Sequence, residues 1–353
     1  MSGSTARRRA ERPPSRRTRA ARSARVRGDR LAGSRLPVAV WVVVVVAALA
    51  ALGACVADVQ PGWLCAGGSV AVVTAYSWAL AARTGGRPVV FGLLALALGL
   101  VVVLSDDDSL RPGAAVLTCV VSAVLAVMAT VPAVRVVHAV REVVVAVVIA
   151  GIGALATVGF EPVVSVTRFE YVTLALAFVG AFLLVYRLGA GLHGLGRRGV
   201  VAVLIGSVLL ALTLAYAELL RRYGSPGLVT HLLDAVHWSR DNLGAFPRPL
   251  ESVLGIPALA WGVHMRARRR QGWWVCAFGV AATVPVANAL VNPAITLQES
   301  TLSVVYGVVV GLVIGVLVIR LDLALTGSPG RRGRRAEEAT ALRPEPARTR
   351  PLL

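Results

Sequence analysis

The feature that most constrains this chain is a series of apolar segments separated by short links that carry nearly all the charge. They lie near residues 37–57, 63–82, 88–104, 113–133, 142–160, 169–189, 199–220, 247–265, 272–292 and 302–323. At a rise of 1.5 Å per residue, most of them reach across about 30 Å of hydrocarbon. Backbone polar groups have no water to bond there, so each segment must satisfy its own, as a helix does. Valine-rich runs read as strands in a soluble domain, but segments of this length without alternation favour helices. The expected fold class is all-α: a polytopic integral membrane protein with about ten transmembrane helices.

The net charge of +19 raises the question of a nucleic-acid partner. The distribution of that charge answers it. All 37 basic residues are arginine, and they gather in the tails and in alternate links. No segment remains to build a soluble basic domain, so no nucleic acid is expected. The dominance of Arg, Ala, Val and Gly looks like the codon bias of a GC-rich bacterial genome.

Orientation follows from the same links. One set holds Arg83 and Arg87, Arg135 and Arg141, Arg187, Arg197 and Arg198, then Arg266, Arg268, Arg269 and Arg270. The other set holds Asp58, the run Asp106 to Asp108, Glu161 with Arg168, and Glu299. The positive-inside rule places the first set in the cytoplasm, with both termini. The expected location is the plasma membrane of a bacterium. A miscounted helix would invert everything after it and break the alternation.

Residues 1–36 carry twelve Arg against Glu11 and Asp29. Such a stretch cannot bury a core, so a disordered cytoplasmic tail resting on anionic lipid is expected. Residues 37–323 form the transmembrane domain, and 324–353 read as a second disordered cytoplasmic tail. Leu52-Gly53-Ala54-Cys55 is lipobox-like, but the tail before it is long for a signal peptide, so an uncleaved first helix is the default. Cys55 and Cys65 flank a short outer turn and are candidates for a disulfide. Cys119 and Cys276 sit inside apolar segments and read as packing residues.

Two places carry candidate chemistry. The first is the long outer connection 221–246, which contains His231, Asp234, His237 and Asp241. At 100° per residue these four share an arc of about 120° on a helix, opposite Leu232, Leu233 and Val236. The connection therefore reads as an amphipathic interfacial helix with Trp238 at the boundary. Its polar face is either simply solvated or catalytic, with His and Asp in acid–base roles and nearby Arg binding phosphate. The His-x2-Asp-x2-His spacing matches no zinc motif, so no metal and no cofactor is expected.

The second place is the eighth and ninth segments. Pro247, Pro249, Gly255 and Pro257 interrupt the eighth; Pro285, Asn288, Asn292 and Pro293 interrupt the ninth. Prolines free backbone groups at mid-membrane, and polar residues at such breaks build transport sites. Glu251, Asn288, Asn292, Arg240 and Arg248 are the candidate substrate-binding set. Ala129-Thr130-Val131-Pro132 recurs as Ala282-Thr283-Val284-Pro285 five helices later, as in a five-plus-five inverted repeat.

In helix number, orientation and that short repeat, residues 37–323 resemble the ten-helix drug/metabolite transporter arrangement. The late outer connection with its His and Arg also resembles that of membrane glycan ligases and polymerases using lipid-linked sugars. The expected function is a permease-like transporter of a small molecule. The alternatives are a membrane enzyme acting at the outer face on a lipid-linked or phosphate-bearing substrate, and a membrane scaffold.

Overall fold

A computed structural model describes residues 36–57, 63–105, 107–190, 192–269, 271–326 and 345–352. The expected N-terminal tail, residues 1–35, lies outside the described residues. The chain divides into two compact units, 1–44 and 45–353. Of the first, Leu36–Val44 is described: the leading turns of a valine-rich helix.

Every regular element among the described residues is helical. The chain runs α1 (Leu36–Val56), α2 (Trp63–Arg83), α3 (Pro88–Leu104), α4 (Leu110–Met128), α5 (Val136–Val158) and α6 (Val166–Val185). It continues with α7 (Leu192–Tyr223), α8 (Pro226–Leu243), α9 (Ile256–Arg266), α10 (Gly272–Ala277), α11 (Val280–Val291) and α12 (Leu297–Thr326). Wider π-helical turns occupy Tyr186–Ala190 and Leu250–Gly255.

Eight described helical spans are long and apolar enough to cross a membrane. Two of the ten expected segments fall short of that length. The third is α3, with 17 residues. The eighth is split into the π-helical turn 250–255 and the 11-residue α9. Its prolines explain the split. Pro257 has no N–H to donate to the carbonyl four residues back, so the chain widens ahead of it. The ninth segment also breaks, at Phe278 and Gly279 between α10 and α11.

The four-residue repeat does not carry one conformation. Residues 129–132 follow the end of α4, where Pro132 holds Val131 out of the helical region. Ala133 N–H then donates to the Val263 carbonyl at 3.0 Å, joining this irregular stretch to α9. Residues 282–285 instead lie inside α11, with Pro285 in mid-helix.

The core is built on close approach. Residues 272–291 are buried along almost their whole length, against α4, α5, α6 and the 250–255 turn. Alanine, glycine, serine and threonine line these contacts, because small side chains let helix backbones meet where no hydrophobic effect drives them together. A Cβ added at Gly255 would fall 2.1 Å from the Ala282 backbone nitrogen. Along α12, the buried glycines 307, 311 and 315 form an i, i+4 row facing Glu251, Ile256 and Ala260. Outward-facing Val and Leu on α3, α6, α7 and α12 are exposed, as a lipid-facing surface requires.

At one end, Cys55 and Cys65 are disulfide-bonded, with Cα atoms 5.4 Å apart. The opposite end carries Arg83, Arg135, Arg141 and Arg266 and is called the basic end below. Two glycines with positive φ close helices: Gly85 (69°) after α2 and Gly244 (77°) after α8.

The segment after α12 corrects one expectation. Its helix runs on to Thr326, and residues 345–352 are seated at the basic end instead of trailing free. Ion pairs and a partly buried leucine explain the seating. Glu345 meets Arg266 at 2.5 Å, Arg348 meets Glu142 at 2.8 Å, and Leu352 packs against the core.

Candidate functional site

The expected surface helix forms as α8, and most of the connection 221–246 is helical. His231, Asp234, His237 and Asp241 are all exposed on it, as are Leu232, Leu233 and Trp238. None of the four polar residues makes a side-chain hydrogen bond or ion pair with another described residue. Among the described residues, no three His, Cys, Asp or Glu come together as metal ligands. The quartet therefore shares a helix face without converging on a point.

The second expected set is partly assembled. Arg248 and Glu251 lie on either side of the start of the π-helical turn, one α-turn apart. Pro247 and Pro249 have no backbone donors to support a regular start there. Arg248 reaches the Pro285 carbonyl on α11 at 3.4 Å. It also feels the carboxylates of Glu170, Glu251 and Glu299. Glu251 is 0% exposed, and neither carboxylate oxygen has a hydrogen-bond partner among the described residues. Gly307 of α12 lies against its carboxyl group; a Cβ there would come within 2.8 Å of Cδ.

Asn288 is 2% exposed and one turn along α11 from Pro285. Its Oδ1 accepts a long 3.5 Å bond from the Thr173 hydroxyl on α6, and its Nδ2 has no partner among the described residues. So α6, the 250–255 turn, α11 and α12 bring Glu170, Thr173, Arg248, Glu251, Asn288 and Glu299 into one neighbourhood. Arg240 reaches this neighbourhood only at its exposed edge, through Glu299, and Asn292 stands apart. Arg240 pairs with Glu299 at 3.3 Å with about half its side chain exposed. Asn292 accepts from Ala294 N–H at 3.0 Å, which shapes the turn before α12.

Glu170, Thr173 and Glu299 were not in the expected set. Glu170 reads from sequence as an interfacial charge. Its signal was the i, i+3 spacing to Thr173, which puts both on one face of α6.

A further polar cluster, at the basic end, was not expected at all. Arg266 is fully buried. It donates to the Thr130 hydroxyl at 2.7 Å and the Thr130 carbonyl at 3.1 Å, and its guanidinium lies 3.5 Å over the Trp273 ring. Arg83 is 3% exposed and donates to the Met128 carbonyl at 3.1 Å. Glu142 is 0% exposed and accepts from Val131 N–H at 2.9 Å and from Arg141 at 3.0 Å.

Among the described residues, cavities open between helices, two of which are lined as follows. One, about 430 Å³, lies among α7, α9, α10 and α12, with Arg269, Gln271 and Asp322 in its lining. The other, about 390 Å³, lies among α2, α3, α4 and α6, with Thr84 and Arg187 in its lining. Both are largely apolar, and neither is lined by Glu251, Asn288 or the surface-helix quartet.

No protein-family model matches this chain, and no curated protein or solved structure matches it either. The functional reading therefore rests on the chemistry of these residues.

Proposed function

We propose that the chain is a permease of a bacterial plasma membrane that moves a small solute and couples the movement to protons through Glu251. The observation that carries this reading is the Glu251 carboxyl group, fully buried in an apolar bundle with neither oxygen bonded among the described residues. A carboxyl in such a place either holds a proton or pairs with a cation. Arg248 is the nearby cation. Ionisable groups inside a membrane domain are costly and mark proton relays and solute paths. Broken helices around such a group free backbone donors and acceptors for a solute, and the 250–255 turn and the proline-bearing α11 are both of that kind.

In this cycle Glu251 takes a proton while its site is closed. It releases the proton when Arg248 or the solute approaches, and Asn288 and Thr173 orient the solute by hydrogen bonds. Both termini lie in the cytoplasm, and the arginine-rich N-terminal tail rests on anionic lipid.

Proteoliposomes holding a pH-sensitive dye test this. A panel of small solutes added outside should drive proton flux for one chemical class. Glu251→Gln should abolish accumulation driven by a pH gradient while leaving solute exchange at equal pH. Retention of gradient-driven accumulation by Glu251→Gln would reject the coupling role.

A further inference from the structure

The basic end carries two buried guanidinium groups whose donors are only partly used. Arg266 is fixed on three sides, by Trp273, the Thr130 hydroxyl and the Thr130 carbonyl. Its remaining edge faces Glu345, which engages Nη2 alone, and Nε has no partner among the described residues. Arg83 gives Nη1 to three carbonyls of the same segment: Ala347 at 2.9 Å, Arg350 at 2.7 Å and Pro346 at 3.4 Å. Its Nη2 also has no partner among the described residues. The two arginines bond to carbonyls two residues apart, Met128 and Thr130, and both reach the same 345–352 segment.

All the contacts on that side come from residues 345–352. Take them away and Arg83 keeps only the Met128 carbonyl, while Arg266 loses its carboxylate. Like charges that are buried and near each other require an anion between or beside them. One carboxylate oxygen uses a single donor of Arg266, whereas a tetrahedral oxyanion presents more acceptors and suits the planar fork of arginine. Arg266 Nε and Arg83 Nη2 are donors that Glu345 leaves unused. The Glu345 side chain is 16% exposed and that of Arg266 is 0%, so the segment covers the site from outside.

We propose that Arg83 and Arg266, the latter held in place by Thr130, form a binding site for a phosphate-type oxyanion at the basic end, and that residues 345–352 occupy it as a tethered competitor, with Glu345 in the anion's place. The segment follows α12 through residues 327–344, so its local concentration at the site is set by that tether and not by the solution. Three further contacts hold it: Arg348 on Glu142, the Leu352 N–H on the Arg83 carbonyl at 2.8 Å, and the Leu352 side chain on the core. A free anion binds only when the segment leaves, and the segment returns when the anion does. This does not depend on the transport reading, which concerns Glu251.

The test is equilibrium binding of labelled inorganic phosphate to the full chain in lipid nanodiscs. Wild type should bind weakly. Glu345→Gln removes one charge-assisted bond from the competitor and should raise phosphate affinity about tenfold or more. Arg266→Gln in that background should remove the gain. A synthetic peptide of residues 345–353, added to Glu345→Gln, should displace phosphate without any change to the buried arginines.

Discs of phosphatidylcholine and of phosphatidylglycerol separate two sources of the same chemistry. Loss of phosphate binding in the second assigns the site to a lipid headgroup; equal binding in both assigns it to a soluble anion. If Glu345→Gln binds no more phosphate than wild type, or the peptide fails to displace it, the proposal is overturned.

Discussion

Gly255→Ala is the sharpest test of how this bundle is held. An added Cβ would sit 2.1 Å from the Ala282 nitrogen, 2.4 Å from the Ala281 carbonyl carbon and 2.6 Å from the Ala282 Cα. All three are backbone atoms, so no side chain can turn aside. Ordinary contact begins near 3.4 Å, so the 250–255 turn and α11 must part by about 1.3 Å at this point. A radial gap of only about 0.5–1 Å already forfeits a quarter to a half of a contact's dispersion energy. Overpacking of this kind costs about 1–3 kcal/mol, and a backbone-on-backbone crossing belongs at the upper end. Alanine's better helix propensity returns only about 0.5–1 kcal/mol.

The control is Gly151→Ala in α5, where a new Cβ meets nothing within 4 Å. There the propensity gain stands alone and the change should be neutral or stabilising. Thermal unfolding with a thiol-reactive dye reads both variants. Cys119 and Cys276 are buried free thiols that report opening, and the bonded Cys55 and Cys65 stay silent. Gly255→Ala should open at a clearly lower temperature than wild type and Gly151→Ala should not. If the two variants unfold together, the close crossing at Gly255 does not limit stability and the packing argument fails.

Cys55→Ser should cost on the order of 2–3 kcal/mol, because the bond closes a loop with a sequence separation of 10 and restrains the unfolded chain. Thermal unfolding with and without reductant checks it: reductant should lower the wild-type transition and leave the variant unchanged. His231→Ala and His237→Ala should change stability by less than about 0.5 kcal/mol, as exposed positions without partners do. They should also leave solute-driven proton flux intact; loss of flux in either would return function to the surface helix.

Much of this architecture was legible in the sequence because its cause is local. Apolar run length specifies the helices, and the 100° spacing of His231, Asp234, His237 and Asp241 specifies the face of α8 that they share. Proline arithmetic marks the break before Pro257, although the π-helical form of that break does not follow from it. Arg248, Glu251 and Asn288 can be singled out because a charge or an amide inside an apolar run stands out on its own. The basic-end cluster is different. Arg83 and Arg266 sit at the ends of apolar runs, where arginine is expected for topology alone, and nothing nearby marks them as buried. Arg83 bonds to Met128, 45 residues away, and to Arg350, 267 residues away. No periodicity encodes such a meeting. Residues 345–352 are polar and proline-bearing, which reads as disorder until their partners are known. Asn292 stands out in the same way, and the turn its side chain shapes with the Ala294 N–H is not marked by the apolar pattern.

The seating of residues 345–352 also sets an order of events during synthesis. Arg83 and Glu142 belong to the second and fifth helices and enter the membrane early. Their partners in residues 345–352 are translated after α12. Until then the growing chain carries two arginines and a glutamate at its basic end with part of their final company missing. Water or lipid headgroups must serve them in the meantime. A stretch translated after α12 is thus the one that completes the first half of the bundle. A protein fused behind it would change when, and whether, that completion occurs.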